Sequence, residues 1–201
     1  MKLKNFILCG IIFLWPAIMI MGQNPETNLK EARSAYSAGD LDAARFALQQ
    51  AINEVDLVIG KEIMKILPEK MGELAFAQSD DVLGAGNLGF PGLHLSRSYG
   101  QSIAQKVELS IIADSPLLAG INAILAMPSF ASDPNQKRVR IGGYRGLLQK
   151  SESGAGEVNW DLQIPFGSSL LSMNFRGIGD EKTVTDWAAT VPIDKIARLI
   201  Q

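Results

Sequence analysis

The chain has 201 residues, of which 47% are hydrophobic and 20% charged; this fits one folded domain with an appendage and excludes a disordered polymer. The formal net charge is -2, and it falls to about -4 if the first 22 residues, which hold Lys2 and Lys4 and no acid, are removed. Nucleic acid and anionic membrane both need a basic footprint, so neither is expected as the main partner.

The N-terminus reads as an export signal. MKLKN is a basic start, FILCGIIFLWPAIMIMG an apolar run, and QNPET a polar continuation. The expected cleavage follows Gly22, which gives a periplasmic or secreted mature chain. The rival is an uncleaved anchor, although the run is at the lower limit of a membrane span and Pro16 interrupts it. Cys9 is the single cysteine and sits inside the apolar run. The mature chain would then hold no thiol for a disulfide, a nucleophile or a metal site.

Asn24-Pro25 opens a short linker. From about residue 28 to Leu67 the pattern is helical. Ala32, Ala35 and Tyr36 belong to a first helix, Ala38-Gly39-Asp40 to a turn, and Leu41, Ala44, Leu48, Ala51, Ile52, Val55, Ile59, Ile63 and Ile66 to a second. Pro68 closes the segment. The stretch AYSAGDLDAARFALQQAI resembles the middle of one tetratricopeptide repeat, with Gly39-Asp40 at the inter-helix turn and Ala44 and Ala51 where the helices approach. It lacks the Trp and Leu-Gly of the first helix, a closing Pro and a second copy, so the resemblance implies one helical hairpin and no peptide-binding array.

Residues 68–92 are glycine-rich and irregular, with a short edge strand at 74–77. Gly84 to Gly89 fits G-x-G-x-x-G on paper, but Phe90-Pro91-Gly92 follows where a helix is needed, so a loop is expected. Strand signals then repeat at 93–99, 107–113, 137–141, 144–149, 158–164 and 171–176. A helix over 117–127, capped by Asp114 or Ser115 with Pro116 at its first position, follows the second of these. Gly142-Gly143 marks a tight turn or a bulge. Asp180 caps a last helix around Val184, Trp187, Ala188 and Val191, and Pro192 separates it from a final short one.

This order predicts an α+β fold: a helical hairpin, then an antiparallel sheet of about six strands packed with two or three helices. The expected divisions are a signal peptide at 1–22, the hairpin at 23–67 and a sandwich domain at 68–201. Over roughly 70–200 the element order is similar to the sheet-and-helix sandwich of PsbP-like extrinsic photosystem proteins; no shared motif accompanies it, so it implies architecture and no activity.

No catalytic set, metal set or cofactor motif emerges. His94 is the one histidine and has no second His or Cys beside it; a hydrolase built on it would need Asp161 or Glu108 within reach, plus a nucleophile. Gly167-Ser168-Ser169 precedes a strand, unlike a nucleophile elbow. Asp80-Asp81 and Asp133-Pro134-Asn135 read as loops. The polar phases of the strands collect His94, Ser96, Glu108, Ser110, Arg138, Arg140, Asn159, Asp161, Gln163, Asn174 and Arg176. One reading is a solvated sheet face with Arg opposite Glu or Asp. The other is a binding face for an anionic or polar group, with Arg138, Arg140, Tyr144 and Arg145 as its residues. The functions in view are a non-enzymatic binding or accessory protein of the envelope, partnered by an envelope protein or small ligand; a carrier of an apolar or anionic molecule; and the His94 hydrolase.

Overall fold

The computed structural model describes residues 24–86, 92–102, 104–127, 135–152 and 156–201. The expected signal segment lies outside these residues, as do the second half of the G-x-G-x-x-G stretch and Asp133-Pro134.

Helix α1 spans Pro25–Ser37 and α2 spans Leu41–Ile66. Asn24 and Pro25 are a cap and a first turn, not a linker: the Asn24 side chain accepts from the Glu26 N–H at 3.1 Å, and Pro25 stands where no N–H is required. Gly39, at φ +80°, turns the chain, and Asp40 caps α2 by accepting from the Ala43 N–H at 3.0 Å. Ala32, Ala44, Ala47 and Ala51 are buried, and these small side chains let the two helices lie close. The last turns of α2 change partner and bury Ile63 and Leu67 in the main core.

A small hairpin, β1 (Lys70–Met71) and β2 (Leu74–Ala75), follows, then a 3-10 turn at Gln78–Asp80. The remaining elements are β3 (Val82–Ala85), β4 (Leu93–Tyr99), β5 (Lys106–Ile112), α3 (Leu118–Ala126), β6 (Gln136–Ile141), β7 (Tyr144–Glu152), β8 (Val158–Phe166), β9 (Ser169–Arg176), α4 (Glu181–Ala188) and α5 (Ile193–Ile200). Seven strands form one antiparallel sheet in the order β3-β4-β5-β9-β8-β7-β6. The fold is α+β, as expected. The strand not foreseen is β3, which pairs with β4 from Val82 opposite Ser96 to Ala85 opposite Leu93. The residues expected as an edge strand at 74–77 instead form the two-residue β2, and Phe76 bridges to Tyr99.

The register separates the two faces. Leu95, Ile111, Leu171 and Ile164 lie in one cross-strand row and Leu109, Met173, Leu162 and Leu148 in the next. All are buried, under α4, α5 and the end of α2. Among the described residues the opposite face carries α3 alone, whose Ile121 and Leu125 cover Leu147 and Leu170. That placement follows from topology: β5 is central and β6 is the far edge, so the connection through α3 crosses over β9, β8 and β7.

Two ends of helices show how local chemistry acts. Asp180 caps α4 as expected, accepting from the Thr183 N–H at 2.9 Å and hydroxyl at 2.7 Å; these bonds hold its carboxyl below the usual value. At α3 the expected cap is corrected. Asp114 adopts φ +49°, a left-handed conformation that Asp tolerates better than most residues, and the helix begins only at Leu118. Ser115 accepts from the Leu117 N–H at 3.3 Å inside the turn.

Candidate functional site

The eleven polar residues collected from strand alternation share one face of the sheet. Ser96, Ser110, Ser172 and Gln163 form one continuous cross-strand row, and Glu108, Asn174 and Asp161 form the next. A one-residue slip in any strand would have sent its set to the other face. The face is half-open: most of these side chains are half-buried, while Glu108, Arg138, Arg140 and Arg145 are exposed.

The expected pairing of arginines with acids is not what the register produces. Arg138 lies opposite Leu147, Arg140 opposite Arg145, and Arg176 between Lys106 and Asn159. The acids bond elsewhere: Asp161 accepts from Asn174 Nδ2 at 2.7 Å, and Glu108 pairs with Lys106 at 2.6 Å on its own strand. Among the described residues, Arg140 and Arg145 have neither a hydrogen bond nor an ion pair. Directly opposed residues in an antiparallel pair hold their Cβ atoms about 4.5–5.5 Å apart, and like charges there repel. The turn that sets this opposition is short: Ile141 pairs with Tyr144 across Gly142 and Gly143, at φ +54° and +87°. Only residues that accept positive φ close such a two-residue loop. Of the two readings, tight turn or bulge, the structure has the turn.

The four residues named as a binding set therefore divide. Arg138 donates to the carbonyl of Met127, which ends α3, so this cation neutralises a helix C-terminus. Tyr144 points to the opposite, helix-covered face, because it neighbours Arg145 in the strand. Its ring meets Phe166 edge-on, with centroids 6.3 Å apart. Its hydroxyl is held above the ordinary phenol value by desolvation, with Asp194 adding to the effect. Arg140 and Arg145 remain as an open basic pair. Arg145 also lines a groove of about 340 Å3 with Asn122, Leu125, Ala126, Pro165, Phe166 and Gly167, between the end of α3 and the β8–β9 turn.

His94 lies on the polar face at its far side from this pair. Its ring covers Gly84, its cross-strand partner: a Cβ on that glycine would come within 2.1 Å of Cε1. Aromatic rings that cover a facing glycine restore the packing it lacks. Neither Asp161 nor Glu108 bonds to the imidazole, so the hydrolase arrangement is not assembled. Among the described residues no three His, Cys, Asp or Glu side chains converge as metal ligands, and no helix is long and apolar enough to cross a membrane. An open groove of about 590 Å3 lies by Leu74, Gln105, Val158 and Gly177.

Alternation alone missed Arg97, which stands in the apolar phase of β4. It is 5% exposed and forms an ion pair with Asp81 in the core. The signal was present: LHLSRSY places a charge in register with Leu93, Leu95 and Tyr99.

No protein family, curated protein or solved structure matches the chain.

Proposed function

We propose that this chain is an exported binding or accessory protein of the periplasm or cell envelope, and that Arg140 and Arg145 take an anionic group of its partner or ligand. The observation that carries this reading is the direct opposition of two exposed arginines without a carboxylate between them. Such a pair costs stability when empty and is relieved by an anion that both guanidinium groups can reach. The groove beside Arg145 gives the rest of the ligand a seat with both apolar and amide surface. Export is supported by the basic start and apolar run at 1–22, together with the absence of cysteine after Cys9.

The test is a thermal melt of the purified protein with inorganic phosphate against chloride at equal ionic strength. Phosphate raises the melting temperature of the wild type and leaves Arg140→Ala/Arg145→Ala unmoved. An equal response in both proteins overturns the assignment of the site. The intact mass of the protein recovered from its native cells tests export separately: it should begin near Gln23, and a retained Met1 refutes cleavage.

A further inference from the structure

The helical hairpin concentrates exposed apolar surface. Of the eleven large hydrophobic side chains exposed among the described residues, eight lie between Leu29 and Val58. Four of them are aligned on α2, with Leu41 63%, Leu48 48%, Ile52 54% and Val55 48% exposed. The small residues Ala44, Ala47 and Ala51 take the flank against α1, and among the described residues nothing covers Leu41, Leu48, Ile52 and Val55 on this second flank. Surface of this extent and continuity marks a contact.

The flank has coiled-coil spacing. Leu41, Arg45, Leu48, Ile52, Val55, Ile59, Glu62 and Ile66 follow one another in alternating steps of four and three, the spacing of a and d positions. Ile59 and Ile66 are only half-buried against the core, so the seam stays accessible to the end of the helix. The seam covers the full 26-residue helix, about 39 Å at 1.5 Å per residue.

The seam is also symmetric about its midpoint, which identifies the occupant. Turned end for end, Leu41 exchanges with Ile66, Arg45 with Glu62, Leu48 with Ile59, and Ile52 with Val55. An antiparallel pair of helices sets each a position against a d position of the other. Two copies of α2 related by a two-fold axis would therefore meet in apolar layers interrupted at two places only, and at both Arg45 faces Glu62. A parallel pair would set Arg45 against Arg45 and Glu62 against Glu62. Among the described residues Glu62 is bonded to exposed Lys65 alone, at 2.6 Å, a surface pair of little strength that leaves the carboxylate able to change partner. We infer that α2 is the interface of an antiparallel homodimer, held by the Leu41–Ile66 seam with reciprocal Arg45–Glu62 pairs.

The experiment is sedimentation equilibrium of the protein expressed as its full chain and purified as the cell processes it, across about 1 to 100 μM. The wild type should sediment as a dimer at the upper end of this range. Arg45→Glu and Glu62→Arg, each alone, set like charges together at both places and should weaken association by about 100-fold. The combined Arg45→Glu/Glu62→Arg protein should recover the wild-type affinity. Circular dichroism of each variant establishes that it is folded. A monomer throughout the range overturns the inference; so do single substitutions without effect, or a combined variant that stays dissociated.

Discussion

Arg97 on β4 and Asp81 ahead of β3 form a two-pronged ion pair inside the helix-covered core, with Nε to Oδ1 at 2.9 Å and Nη2 to Oδ2 at 2.6 Å. The guanidinium also reaches the carbonyl of Leu67 at 3.5 Å and lies 4.2 Å from the centre of the Phe76 ring. It thus ties together the end of α2, the strand edge at β3 and the central sheet. Burial alone would lower the guanidinium's proton affinity; the Asp81 carboxylate outweighs that and raises it. A buried pair is costly to break from one side, because the remaining charge is stranded. Asp81→Ala should lower stability by about 3–5 kcal/mol in urea unfolding, whereas Arg97→Met/Asp81→Leu, which removes both charges, should lose less than half as much. Equal losses would mean that the pair contributes through its own attraction and not through avoided desolvation.

Tyr99 lies beside this pair, fully buried, with a hydroxyl that has no hydrogen-bond partner. Burial pushes its pKa up to about 12, against the opposing pull of Arg97. The phenol is neutral in the fold while the unfolded chain ionises near 10, so its contribution is complete below pH 10 and is lost between about 10 and 12. That loss amounts to roughly 3 kcal/mol. Tyr99→Phe should be as stable as the wild type at neutral pH or more so, since it removes an orphaned hydroxyl, and its stability should fall less between pH 10 and 12. Parallel decline of the two proteins, followed by denaturant melts at each pH, would contradict the assignment.

His94 acts by packing. His94→Phe keeps a ring over Gly84 and should keep the melting temperature within experimental error, whereas His94→Ala should cost about 1 kcal/mol. Capture of a partner should survive both changes. A loss of capture in the phenylalanine variant would restore a chemical role to the imidazole.

Much of this was readable in the chain, and the gaps have physical causes. Alternation within each strand separates Ser96, Ser110, Asn159 and Asn174 from the apolar phase, because a side-chain period of two is local and strict, and the register then brings the four to one face. It could not state what stands opposite what, which is set by pairing between distant strands. The opposition of Arg140 to Arg145 is the exception: a two-residue Gly142-Gly143 turn fixes the register from sequence alone. β3 was hidden because Val82 to Ala85 is short and holds a glycine whose packing comes from His94, ten residues later. The start of α3 was hidden by the left-handed Asp114, a conformation that a cap motif does not announce. No local signal in the sequence ties Arg138 to the carbonyl of Met127, eleven residues earlier.

The claim that Arg140 and Arg145 form the binding site is tested most directly by cross-linking in cells that carry the tagged chain. Wild type, Arg140→Ala/Arg145→Ala and Arg176→Ala would be compared for what they capture, with the melting temperature of each. The account predicts that capture is lost in the first variant and kept in the second. The melting temperature of the first should be unchanged or slightly raised, because a like-charge pair worth up to about 1 kcal/mol of repulsion has gone. Undiminished capture by Arg140→Ala/Arg145→Ala, or a loss of capture matched by a fall in its melting temperature, would contradict it.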